Sequence, residues 1–558
     1  MKKLTTAIVL IAFSFSAHAQ TNVSGGIYAN TTWTLANSPY IVVDTVVVFP
    51  NVTLTIQPGV TVKFDVNKEI EIRQAKLIAI GTSADSITFT SNSLSPSAGI
   101  YAGIYLNGGT HTSTFDYCKF KYANIGIKST VADSMLVHHS NFNQNLTGLQ
   151  FIGNSLAQVA LIDNSNFKNN SSDGLILIDL LKASINNCNF SYNGVNGFVL
   201  GNANSPSQFF SSTMDYCNFS NNPVGLLWDM QNSIMNHCTF LNDSIGLLGD
   251  GYQSSFATYH NTTKNSIFNF NQTGMHYPAH MLIDSCSIKH NQKGVISNLN
   301  RIKNSIIDSN TVVGLSMYND SLVNCDVKYN GTGIQTASYS EIIGNRIENN
   351  TGTNISSGSG ITTITSNTIR YGNIGIDNYA AGTFTITQNL IENNTIGINL
   401  ISSNTTLSCN RICSNSSYDL KYYASANLNG THNYWCTPDS ASTETLIYDG
   451  YDNISYGLVS ILPFDTLCFT GPTSVTEIMQ GNSISVYPIP SNGIFMVKSD
   501  NENIDRIEIF NMLGEKVFDA EIINSQGEID LSDQANGIYF IRVKTKTKSF
   551  TQKIIVSH

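Results

Sequence analysis

Four ionisable residues recur at one offset of a repeated phrase: Lys328, Glu348, Arg370 and Glu392 each follow, by one position, the bulky apolar residue of its copy. If successive copies stack, these side chains form a column, with Lys328 at one end and Glu348, Arg370 and Glu392 on consecutive coils. Such a column can bind an acidic or neutral sugar. It can also be an exposed ladder of alternating charge that relieves repulsion, which is the simpler account. Cleaving a polyuronate by elimination asks for more: Ca²⁺ on several Asp or Glu to neutralise the uronate, and a Lys, Arg or His to remove the α-proton. The column of four is the nearest approach to that set. It does not identify catalytic residues, and no specific motif supports Ca²⁺ or another cofactor.

Other candidates have plainer alternatives. Asp116, His138 and Asp163 form a second column and Lys264, Asp284 and Lys303 a third, at corner positions where Asp and Asn favour backbone hydrogen bonding. His276 and His280 flank Tyr-Pro-Ala, and Pro278 argues against one helical face, so a polar loop is preferred to a metal site. Tyr192, Trp228, Tyr329 and Tyr371 either stack on sugar rings or pack in the core. Of ten cysteines, six occupy a small-residue column as buried thiols. The other four, Cys409, Cys413, Cys436 and Cys468, surround one end of the repeats; one or two disulfides are expected there, with three connectivities open.

The element that positions all of these is a short repeat. It reads aliphatic, Asp or Asn, spacer, small residue, spacer, Phe or Ile, then Asn three residues on, as in INNCNFSYNGVNGF from Ile185 and ITQNLIENNTIGI from Ile386. Fourteen copies align on Phe120 through Ile412 at a mean interval of about 22 residues. The apolar pieces are short, β-branched or aromatic, and separated by Asn, Ser, Gly and Asp, which predicts short strands and tight corners. Two residues before the anchor only Cys, Ser or Asn occurs, as expected beside a bulky inward neighbour. Three residues after it, eleven of fourteen copies carry Asn, expected both to take a left-handed corner and to bond the next Asn in the stack.

Lys2 and Lys3, an apolar run from Ala7 to Phe15 and Ala17-His18-Ala19 predict an export signal over 1–19. No later run approaches a bilayer-spanning length. A net charge of −10 and the lack of a basic stripe argue against nucleic acid. With 12% charged residues, stability must come from stacked apolar columns and backbone ladders. The expected divisions are 20–106, an N-terminal cap with the first coils; 107–416, the repeats; 417–469, a C-terminal cap; 470–483, a linker; and 484–558, a small β-sandwich.

In that last segment YPIPSNG, IFNMLGEKV, NGIYFIRV and KIIV occur in an order and spacing that resemble the C-terminal sorting domain, type A, of proteins exported by the type IX secretion system. Ile489 departs from the family, which usually has Asn between the two prolines, and weakens one turn. The resemblance implies a Bacteroidetes-type host, contact of 484–558 with the secretion machinery, passage through the periplasm, and release or anchoring at the cell surface. The repeats, with the opening NTTW…PGVTVKF and the closing NYW…IYDGYDNISYGLV, resemble right-handed parallel β-helix proteins of the pectin-lyase-like superfamily, a fold with many activities.

The expected molecule is all-β: a right-handed parallel β-helix of roughly eighteen coils, on the order of 85 Å long at the standard strand spacing, and a small C-terminal β-sandwich. It is expected to be a monomer that binds a glycan or other extended surface polymer. A polysaccharide lyase or glycoside hydrolase is the alternative.

Overall fold

The computed structural model describes residues 20–108, 111–130, 134–153, 159–201, 211–229, 232–249, 261–437, 439–465, 468, 484–487, 491, 493–499, 503–511, 514–545 and 549–556. The export signal, the 470–483 linker and Ile489 lie outside these residues. The chain forms two compact units, residues 1–472 and 473–558.

The first unit is a right-handed parallel β-solenoid of about 17 turns. One coil shows the plan: Ser134–His138 lies on a first face, Asn141–Asn143 on a second and Thr147–Ile152 on a third. Each strand pairs in parallel with its counterpart one coil on, Val159–Asp163, Asn166–Lys168 and Leu175–Ile178. Left-handed residues bracket the second face, His139 (φ 44°) before it and Gln144 (φ 61°) after it. Between two such corners stand four residues, the buried Ser140 and then the three-residue strand. Because side chains alternate along a strand, the middle one points inward and the outer two point out.

The inward residues are the repeat anchors. Phe120, Phe142, Phe167, Phe190, Phe219, Phe240 and Phe268 stand in register, with adjacent ring centroids 4.5 to 5.1 Å apart. Isoleucines, with Val327, continue the column to Ile412. The small-residue column is buried beside it, and Cys118, Cys188, Cys217, Cys238, Cys286 and Cys325 are buried free thiols.

The Asn column corrects one expectation. Its amides do bond coil to coil, Nδ2 to Oδ1, at 2.8 to 3.1 Å from Asn145 to Asn193 and from Asn271 to Asn350. These residues do not take the left-handed conformation. The residue before each does, as at Gln144, Asn169 and Tyr192. The corner must turn one residue early so that the amide points into the rod and meets the buried carbonyls there.

A glycine column follows. A Cβ on Gly197 would lie 2.6 Å from the Gly225 carbonyl oxygen, so the backbones meet too closely for any side chain. One coil trades the two columns: Gly372 stands in the Asn position, and Asn354, one coil earlier, stands in the glycine position. The Asn354 amide fills the gap, accepting from Asn350 (2.8 Å) and donating to Asn394 (3.0 Å).

The structure pairs Cys409 with Cys468 and Cys413 with Cys436, Cα atoms 5.2 and 5.6 Å apart, tying the last coils to the C-terminal cap. The buried Trp435 and strand Ile447–Tyr448, paired with Tyr418–Tyr422, close that end. In the second unit Ile484–Tyr487, Ile494–Ser499 and Gln526–Asp530 make one antiparallel sheet. Ile504–Phe510, Lys516–Asn524, Gly537–Thr545 and Ser549–Val556 make another. Phe495 and Val497 from the first and Ile507, Ile541 and Ile554 from the second share one core.

Candidate binding face

The second face carries two outward columns, the residues on either side of each anchor. Over four of the seven Phe-anchored coils the column before the anchor is Asn141, Asn166, Asn189 and Asn218, in register on successive strands, with Lys119 one coil earlier and Thr239 and Ile267 on the coils that follow. Asn218 donates to Asn189 and Asn189 donates to Asn166, both at 3.0 Å. An amide has two N–H donors and an oxygen with two lone pairs. A ladder uses one of each, so Asn189 keeps one donor and one acceptor toward solvent. The column after the anchor reads Asn143, Lys168, Ser191 and Ser220. Lys168 is the one ionisable residue among these eight.

Aromatic rings flank this strip diagonally. Tyr192 (φ 55°) stands at the far corner of the Asn189 coil, 61% exposed, and Tyr216 (φ 53°) at the near corner of the Asn218 coil, 52% exposed. The Tyr216 ring stacks on His237 of the next coil at 4.7 Å. The left-handed corner turns both side chains away from the core. These amide positions were missed in reading the repeat for its inward columns, although the signal is plain: any residue adjacent to an inward anchor on a three-residue strand must face out.

Higher on the same face the four charged candidates do come together, in register as Lys328, Glu348, Arg370 and Glu392. They are occupied with one another and with the neighbouring column. Arg370 Nε lies 2.6 Å from Glu348 Oε2 and its Nη1 lies 3.7 Å from Glu392. Arg346 reaches Asp326 at 2.5 Å and Glu348 at 3.4 Å, and Lys328 lies 3.9 Å from Asp326. Three cations thus face three carboxylates. The Arg370 guanidinium also covers the Tyr371 ring, 5.2 Å from its centroid.

Asp116, His138, Asp163, Lys264, Asp284 and Lys303 belong to one column of the first face, not two. The sequence spacing hid this because the intervening coils carry Asn186, Asp215 and Asn236 there. His138 Nδ1 meets Asp163 at 2.8 Å and Lys303 meets Asp284 at 3.3 Å. Trp228 is buried, in register with the inward Leu200, so it is a core residue. Tyr329 and Tyr371 are exposed. His276 projects from the third face against Tyr277 (4.5 Å), and His280 takes a left-handed corner (φ 51°).

Burial pushes three carboxyls far up: Asp243 and Asp320 to about 7 and Asp419 to about 6. They occupy separate coils, two of them inside the amide ladder. Asp243 replaces an Asn. Its Oδ1 accepts from the Asn222 N–H (2.8 Å) and amide (3.0 Å), while its buried Oδ2 has no partner. Neighbouring ladder amides donate from that position to backbone carbonyls, as Asn271 does to Phe240 O at 3.2 Å. A carboxylate would set oxygen against oxygen there; the neutral acid supplies the missing donor. Asp419 ends the ladder, accepting from Asn415 at 2.7 Å.

Comparison with known proteins bears on both units. Residues 485–557 match the family model of the secretion system C-terminal sorting domain, and two overlapping stretches, 102–258 and 147–312, match that of the right handed β-helix region. The chain is a right-handed β-helix protein with a secretion sorting domain. This β-helix protein is therefore directed by type IX secretion to the cell surface or the extracellular space, and its tail implies contact with that machinery. No helix among the described residues is long and apolar enough to cross a membrane. No curated protein matches the sequence. Among solved structures, the A-module of the Azotobacter vinelandii mannuronan C-5 epimerase AlgE4 aligns over 66% of this chain and 91% of its own, at 13% identity and a TM-score of 0.26. Tailspike protein 3 of bacteriophage CBA120 aligns over 76% and 57%, at 12% identity and a TM-score of 0.25. Tailspike gp49 of Acinetobacter baumannii bacteriophage Fri1, a capsular polysaccharide depolymerase, covers 91% and 73%, at 11% identity and a TM-score of 0.18. Likenesses of that extent carry no argument about what this β-helix protein does.

Proposed function

We propose that the exported solenoid binds a glycan or other extended polymer along its flank and does not turn it over. The observation that carries this reading is the strip of in-register amides on the second face, laddered from Asn218 through Asn189 to Asn166, with exposed tyrosines at its corners. A long regular surface of this kind suits a polymer better than a compact ligand. The carboxyls whose protons are held most tightly support binding over chemistry: they lie buried on separate coils, two of them in the inner amide ladder, whereas acid–base catalysis needs such groups converging on one substrate bond. The test is incubation of the full chain with pectate, alginate and neutral glucans. Retention on one of them without new reducing ends or unsaturated-product absorbance is expected. Turnover of any of them overturns the reading in favour of a lyase or hydrolase.

A further inference from the structure

We propose that the ligand of the amide strip is an uncharged linear polysaccharide lying lengthwise along the solenoid, one sugar residue to each coil; this rests on the polymer-binding reading above and narrows it. Three observations converge on it.

The first is register. Asn141, Asn166, Asn189 and Asn218 are paired strand to strand without a shift, so identical groups recur at the rung spacing of about 4.8 Å. An extended pyranose unit is about as long as one rung. A chain laid along the axis therefore brings one sugar to each amide, with the hydroxyl edge that faces the strip changing as the chain turns and the amide able to donate to or accept from either. A chain laid across the face meets only the two outward columns.

The second is charge. The eight outward side chains of these strands are five Asn, two Ser and Lys168, and cations recur only at the N-terminal end of the strip, as Lys119 and Lys121 on the preceding coil. Binding a uronate on every rung would need a cation on every rung, since a carboxylate brought against uncharged amides loses hydration that they only partly replace. Hydroxyls, which both donate and accept, match the free donor and acceptor valences that the laddered amides Asn166, Asn189 and Asn218 keep. The charged column higher on the face is no substitute, because its cations are already paired.

The third is the position of the rings. Tyr192 and Tyr216 stand on opposite edges of the strip on adjacent coils. They can flank one chain and stack on the apolar faces of successive sugars. One face of the Tyr216 ring is taken by His237, which leaves its other face and the 61% exposed Tyr192 ring for the ligand.

The test is calorimetric titration of the full chain with neutral oligosaccharides of the glucan, xylan and mannan types and with oligogalacturonates, from disaccharide to octasaccharide. For at least one neutral series the affinity should rise with each added residue until the strip is filled and then level off. The double variant Tyr192→Asn, Tyr216→Asn should bind that series about tenfold more weakly. Asn already occupies these corners at Asn169, Asn187 and Asn221, so the backbone is preserved. Oligogalacturonates binding as tightly as the neutral series, or a double variant that binds neutral chains as well as the original, would overturn the assignment and leave polymer binding standing. Retention of no polymer of either kind would remove the polymer-binding reading itself.

Discussion

The Phe-anchored and Ile-anchored halves of the solenoid fill the same cross-section in opposite ways. From Phe120 to Phe268 the anchor is a wide ring and its inward neighbour is Ser or Cys. From Ile347 to Ile412 the anchor is narrower and the neighbour is Asn, so that Asn345, Asn367, Asn389, Asn410 and Asn433 form a second buried amide ladder, each bond 3.0 Å. The outer surface is reversed. Four coils of the first half display open amides, and the second half displays a closed network of ion pairs. Close packing favours the inner exchange at this one position beside the anchor, although Ile288, Ile307 and Val327 keep the small Cys286, Ser305 and Cys325 and so stand between the two arrangements. The lesson for function is that polar residues bind only where their valences are unspent, and the two halves spend them differently.

The largest way to break the comparison is Asn367→Ala. Asn367 Oδ1 accepts both the Asn345 N–H (2.8 Å) and its amide (3.0 Å), so two buried donors are orphaned. A loss on the order of 5 kcal/mol is expected, read by denaturant unfolding. In the first half the equivalent change, Cys217→Ala, removes only a thiol and should cost about 1 kcal/mol. Equal losses at the two sites would contradict the distinction.

Asp243→Asn follows, with a pH signature. Its folded value of about 7 lies above the ordinary 3.8. Below both values the acid is neutral folded or unfolded, and the ladder keeps its donor. Between them only the folded state holds the proton, so stability falls as pH rises, and above about 7 the loss is complete, on the order of 4 kcal/mol. The Asn variant lacks this term. Its thermal midpoint should match the original near pH 4 and exceed it near pH 8; the same difference at both pH values would contradict a protonated Asp243.

A third change tests the exchange of volumes. Cys217→Asn places an amide beside the Phe219 ring and should cost about 1–3 kcal/mol by overpacking. Adding Phe219→Ile should recover most of it, a coupling that a double-mutant cycle measures. The smallest effect is expected on the outer surface of the second half. Arg370→Gln removes one member of a partly exposed network, costs about 1 kcal/mol, and costs less as salt is raised.

The inner columns were legible in the sequence because a fixed period stacks like on like: the anchor, the small residue and the Asn each declared themselves by repetition. Three features were less legible. Which corner residue turns left-handed depends on where the amide must point, and Gln144 and Tyr192 resemble nothing expected of a turn. The unity of Asp116 with Lys264 and Lys303 was masked by Asn and Asp on the intervening coils. The amide strip was present at the residue before each anchor, but its meaning depends on the outward direction and on Tyr192 and Tyr216 flanking it, which only the coil geometry supplies. The charged column was visible, and its internal pairing needed distances.

The most direct test of polymer binding at the amide strip is retention of the full chain on an immobilised neutral polysaccharide that the original binds, measured for two variants side by side. Asn189→Ala with Tyr192→Asn should abolish retention, and Glu348→Gln with Arg370→Gln should leave it unchanged. Loss of retention in the second variant with full retention in the first would place the ligand on the ion-pair ladder and contradict the account.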